Sequence, residues 1–209
     1  MSVASHGWYA VLAGFVFAVA AYIGLRISAM LCRTIEPFSD GPRPGNTPGL
    51  ALITGAFAVG YAVAERGAGL PALLIVIVLT TSLVAAWASD VQCGIVPDSF
   101  TVVPLVGVLL VTVIEGDVMP AVSAAVAFVP FAIAALVSKG RGMGWGDVKL
   151  VALGAAVLGL QASMFAFGAA CLTAAAVAFA RGRRHEPIAL APYLAGASAA
   201  AIVIPLFLK

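Results

Sequence analysis

Nine acidic side chains are spread over 209 residues, and three of them stand where a carboxylate could do chemistry. Asp90 closes an apolar run in Ala86-Trp87-Ala88-Ser89-Asp90, Asp98 lies in Val96-Pro97-Asp98-Ser99-Phe100, and Asp147 follows Gly140-Arg141-Gly142-Met143-Gly144-Trp145-Gly146. Two carboxyl groups, one ionised and one protonated, can activate water and then protonate a leaving amine, so the chemistry at hand is hydrolysis by an acid–base pair with no covalent intermediate, metal or cofactor. Asp98 stands just before an apolar run, where its side chain can accept hydrogen bonds from the free N–H groups of a helix start; it is read as a helix cap. Asp90 cannot cap from the carboxyl end of a helix, where it faces the negative end of the helix dipole, and so calls for another explanation. The four glycines ahead of Asp147 let the backbone approach another segment closely. A phosphate-binding loop does not fit this segment, because Lys149 has no glycine before it, no Ser or Thr follows, and no strand precedes. The other six acids, Glu36, Asp40, Glu65, Glu115, Asp117 and Glu186, read as solvated loop residues.

The elements that carry these residues follow from composition. The chain is 63% hydrophobic and 10% charged, with mean hydropathy +1.12, against roughly 45–50% and 25% for soluble domains. A water-soluble globule is excluded, and the fold class is all-α: a polytopic membrane helical bundle of about seven transmembrane segments. Apolar runs predict spans near 8–25, 50–64, 70–88, 100–114, 118–137, 162–180 and 188–208, with a further short stretch from 26 to 32. The run 147–180 is too long for one crossing and must bend, with the Gly159-Leu160-Gln161 step as the bend and a short helix starting at Asp147. Nothing basic precedes residue 8, so the first segment reads as a retained helix, not a signal peptide. Two regions follow: 1–69, amino-terminal helices with a Pro/Gly-rich loop between Arg33 and Pro48, and 70–209, a catalytic helical core.

Placing the amino terminus outside puts Arg26, Arg33, Arg43, Lys139, Arg141, Lys149, Arg181, Arg183 and Arg184 on the cytoplasmic side and leaves Arg66 and Lys209 outside. That distribution is what the positive-inside rule asks for, and it sets Asp90, Asp98 and Asp147 on the cytoplasmic side together. A net charge of +2 gives no reason for a nucleic-acid partner. Cys32, Cys93 and Cys171 are isolated, with no Cys-x-x-Cys pair, which speaks against a zinc site or a disulfide framework.

These motifs resemble the type IV prepilin peptidases, membrane aspartic proteases of the GxGD type. Asp90-Val-Gln-Cys-Gly-Ile-Val-Pro97-Asp98, Gly144-Trp145-Gly146-Asp147-Val148-Lys149-Leu150 and Glu186-Pro187-Ile188-Ala189-Leu190-Ala191-Pro192-Tyr193-Leu194 match the family's blocks in order, from about Leu70 onward. The resemblance implies that Asp90 and Asp147 are the catalytic aspartates. It implies that Gly144, Gly146 and Lys149 support the site loop and substrate, and that Asp98 occupies a position that is Asp or Asn in the family. It also implies substrates that are prepilins or pseudopilins, cut at the cytoplasmic face of the inner membrane after a Gly that ends a short basic leader and precedes an apolar helix. Larger members carry an amino-terminal cytoplasmic domain with two Cys-x-x-Cys pairs and methylate the new amino terminus. Here the loop is short and lacks those cysteines, which speaks against methyl transfer and brings the chain closer to the compact members serving Tad-type pili, with the subgroup open. Oligomeric state is not readable from the sequence.

Two other classes compete. A small transporter or channel would place acids near span centres, whereas these lie at span ends or in loops. A non-catalytic pilus or secretion assembly platform, suggested by the Ala/Gly-rich helices, would leave both aspartates dispensable. A thiol protease built on Cys93 lacks a base, since His185 lies in a basic cluster and His6 near the amino end.

Overall fold

The computed structural model describes residues 3–34, 48–137, 143–182 and 189–204, with side chains from residue 7 onward. Among the described residues there are eight α-helices, one 3₁₀ turn and no strand. They are α1 (Val3–Thr34), α2 (Gly49–Glu65), α3 (Leu70–Cys93), the 3₁₀ turn (Asp98–Phe100), α4 (Val102–Ile114), α5 (Met119–Val137), α6 (Trp145–Leu158), α7 (Leu160–Ala180) and α8 (Ala191–Val203). Four helices are long and apolar enough to cross a membrane: Gly7–Thr34 within α1, then α3, α5 and α7. Phe15, Leu110, Ile133 and Leu172 are each more than half exposed, as expected of side chains that meet hydrocarbon instead of water.

Two boundaries differ from the sequence reading. The segments 8–25 and 26–32 form one helix of 32 residues, about 48 Å long at 1.5 Å per residue. Arg26 does not end it: arginine is a good helix former, and here its guanidinium lies 6.0 Å from the Tyr22 ring, a cation–π contact along the helix. Helix α3 runs to Cys93, not residue 88, so Asp90 lies within its last turn. The bend in 147–180 falls where expected, at Gly159 with φ +78°, and divides the run into α6 and α7.

Helix α6 is the innermost element. Val148, Val151, Leu153 and Ala155 have no exposed surface, and at 100° per residue they point in different directions around the helix, so it is enclosed on every side. Close packing rests on small residues. A Cβ at Gly154 would come within 2.8 Å of the Phe167 ring, and one at Gly60 within 2.6 Å of the Phe17 ring.

The cysteines overturn the expectation of isolated thiols. Cys32 and Cys93 form a disulfide, 61 residues apart in sequence with Cα atoms 5.9 Å apart. The spacing rule failed because α1 continues past Arg26 and packs along α3, which brings two ends distant in sequence to one level.

At the other end of the bundle, the Arg66 guanidinium, on the turn between α2 and α3, donates to the Ile202 and Val203 carbonyls. These carbonyls belong to the last turn of α8, which has no internal donors for them. Arg66→Ala should therefore lower stability by about 2 kcal/mol, the scale for hydrogen bonds from a charged donor. Thermal unfolding in detergent measures it. Asp117 also does more than sit in solvent: its Oδ1 accepts the Met119 N–H at 2.9 Å, which orders the start of α5.

Candidate active site

Asp90 and Asp147 come from helix ends of opposite polarity. Gly94, at φ +68°, ends α3 and returns its N–H to the Asp90 carbonyl at 3.0 Å. This left-handed cap fixes the turn that carries Asp90. The Asp90 carboxylate would face the negative end of its own helix, but its Oδ2 accepts the Ala191 N–H at 3.2 Å. Ala191 is the first residue of α8, so Asp90 is served by the positive end of another helix. Pro192 in the first turn of α8 is the local signal of that helix start. The sequence reading placed Ala191 in the third block but gave it no role.

Asp147 is the third residue of α6, after Gly144 at the cap position. The Gly144 N–H hydrogen-bonds its carboxyl, the reach-back of a capping box. Its Oδ1 has no hydrogen-bond partner among the described residues, and the residue is only 9% exposed. The structure brings the two aspartates together: the Asp90 charge acts on Asp147. Below Asp90 an apolar cavity of about 190 Å³ opens between α2, α3 and α8, with Leu83, Trp87, Ala195 and Gly196 in its wall.

The glycines of the Gly-x-Gly-Asp motif differ in what they do. A Cβ on Gly146 would lie 2.7 Å from the Val96 Cβ and 3.2 Å from its carbonyl, whereas one on Gly144 would meet only the Asp147 carboxyl at 3.5 Å and the Gly146 N at 4.0 Å. Gly146 is thus the point where α6 presses on the segment leaving α3, and that contact sets how closely the two aspartate-bearing ends approach. Gly140, Arg141 and Gly142 lie outside the described residues, as do Lys139, His185, Glu186, Pro187 and the loop from 35 to 47.

Asp98 is not a helix cap. Pro97 holds the cap position of the 3₁₀ turn, no side-chain cap bond is made, and the Asp98 carboxylate instead accepts Lys149 Nζ at 2.7 Å. The partner lies 51 residues downstream, one turn into α6, which local sequence could not reveal. Lys149 therefore ties α6 to the start of α4. Cys93 is bonded to Cys32 in this structure. Among the described residues no group of His, Cys, Asp and Glu could hold a metal ion.

Comparison with known proteins places this site in context. Residues 77–179 match the model of the type IV leader peptidase family, a stretch that includes both aspartates. Two relatives from Burkholderia pseudomallei, strains 1026b and K96243, each named prepilin leader peptidase/N-methyltransferase, are 32% identical over 197 residues, covering 88% of this chain. The chain spans 60% of the length of those relatives. No solved structure matches it. The chain is thus similar to the type IV leader peptidase family over a stretch that holds both α3, with Asp90, and α6, with Asp147.

Proposed function

We propose that this protein is a membrane-embedded aspartic endopeptidase that removes the leader from prepilins or pilin-like precursors. The observation that carries the reading is that α3 and α6 pack together, with Gly146 against Val96, so that Asp90 at the end of one helix and the buried Asp147 at the start of the other serve a common site. Two like charges there cannot both be held cheaply, so the pair shares one proton. The ionised member takes a proton from water as its oxygen attacks the scissile carbonyl, and the protonated member gives its proton to the carbonyl oxygen. Collapse of the tetrahedral species breaks the C–N bond and passes a proton to the leaving amine. The free Oδ1 of Asp147 is suited to hold that water, while Ala191 and Gly144 orient the two carboxyls.

The basic residues support a cytoplasmic site. Arg181 ends the run that bends at Gly159, so holding it on the side where Asp147 starts the run requires α6 and α7 together to return to that side. A precursor anchored by its own apolar helix would reach Asp90 and Asp147 by diffusion in the bilayer, with the apolar cavity below Asp90 beside its helix. Methyl transfer, which the relatives' names also carry, and transport are not part of this proposal.

Co-expression with a leader-bearing pilin precursor should give a faster-migrating product on a gel, and its amino-terminal sequence should start after the leader. Failure of the wild-type chain to cut any such precursor overturns the proposal. The Lys149–Asp98 pair offers a finer check. Asp98→Asn keeps an acceptor for Lys149 and should leave processing largely intact. Asp98→Lys should slow it about tenfold by shifting α6, on the scale of small misplacements at a site. Adding Lys149→Asp to that variant should recover most of the rate.

A further inference from the structure

We propose that Cys32 and Cys93 form a reversible thiol–disulfide site that governs how freely the Asp90 turn moves. Cys93 follows Asp90 by three residues on α3, in the turn closed by the Gly94 N–H on the Asp90 carbonyl. Cys32 lies in the last turn of α1, and the two cysteines are paired. The bridge is the one covalent link among the described residues between α1 and the turn bearing Asp90. Both cysteines are half-buried, with exposed Arg33 beside Cys32 and exposed Gly94 beside Cys93. A small thiol can reach such a pair, and a neighbouring cation favours the thiolate that exchange requires.

With the basic residues on the cytoplasmic side, the pair faces a compartment that keeps thiols reduced, so the dithiol is the resting form and oxidation closes the bridge. The oxidant is a small-molecule disulfide of the glutathione type. One cysteine thiolate attacks it, forming a mixed disulfide and releasing one thiol. The second thiolate then attacks the protein-bound sulfur, releasing the second thiol and closing Cys32–Cys93. Two electrons pass from the cysteine pair to the oxidant, the two cysteine protons go to the released thiols, and a dithiol reductant reverses the sequence. With the bridge open, the freed Cys93 thiol can donate weakly to the Ser89 carbonyl, 3.1 Å from its sulfur, or the Ile95 carbonyl at 4.0 Å. The Asp90 turn can then move against α1 as the carboxyls close on a peptide. With the bridge shut, it cannot.

The rate effect rests on the peptidase reading; the thiol chemistry does not. Full-length protein in membranes would be treated with oxidised glutathione or with dithiothreitol, denatured and labelled with a maleimide polymer. Of three cysteines, one should label after oxidation and three after reduction, the oxidised wild type carrying no glutathione mass on Cys32 or Cys93; in Cys32→Ser the mixed disulfide at Cys93 has no second thiol to resolve it, so glutathione stays attached there until reduction. Oxidation should slow precursor processing at least about fivefold, a modest displacement effect, reversibly and not in Cys32→Ser. Three labelled thiols after oxidation, or equal rates in both states, would overturn the proposal. If wild type cuts no precursor in either state, the peptidase reading fails while the label count still decides the bridge.

Discussion

Asp147→Asn should leave the protein folded and inserted yet slow leader removal by about 10³-fold or more, within the range supplied by a positioned acid or base. The amide is the size of the carboxyl and still accepts the Gly144 N–H, so the first turn of α6 keeps its cap. What is lost is the shared proton. Asp90→Asn should do the same, since the amide oxygen can still accept the Ala191 N–H. The double variant should be no worse than either single one, because groups acting as one unit are not additive. Single-turnover cleavage of a pilin precursor, with expression checked in membranes, measures the effect. Near-normal cleavage by either variant would remove the dyad as the engine of the reaction.

The second large effect is expected at a residue with no side chain. Gly146→Ala should cut the rate about 10²-fold, the scale of a misplacement near 1 Å, and destabilise by about 1–3 kcal/mol as an overpacked contact. The added methyl would stand 2.7 Å from the Val96 Cβ, so α6 must retreat from the segment after α3 and take Asp147 with it. Gly144→Ala is the control. Its added Cβ would make only an ordinary contact with the Asp147 carboxyl at 3.5 Å and its φ is −75°, so activity should fall far less than for Gly146→Ala, by about threefold at most, the scale of a lost few tenths of a kcal/mol at a surface-like substitution. Combining Gly146→Ala with Val96→Gly removes the atom in collision and should restore much of the rate. Equal tolerance at both glycines would show that the motif is not read by sterics.

The helical class was legible from composition, and Asp90 and Asp147 drew notice because charge is scarce: in an apolar chain each carboxylate at a helix end stands out. The Gly159 break was legible too, since a helix of 34 residues would run about 51 Å. Long-range partners were not. Asp98 sits before a helix in a way that local rules read as a cap, but a lysine on α6 outbid the local N–H groups. Asp90 looked poorly placed at the end of α3 because its compensating donor belongs to α8. Cys32 and Cys93 looked single because spacing along the chain says nothing about two helices lying side by side.

The hydrogen bond from Ala191 to Asp90 also sets an order of events during synthesis. Its two ends are 101 residues apart, and α6, with Asp147 in its first turn, is enclosed only when its neighbours are in place. A ribosome that has finished α3 has made the first aspartate but not the group that orients it. At elongation rates of roughly 5–20 residues per second, several seconds separate the two. Through that interval the nascent chain carries the two carboxyls of the proposed pair unassembled, so the proposed activity could begin only after its later helices have entered the bilayer.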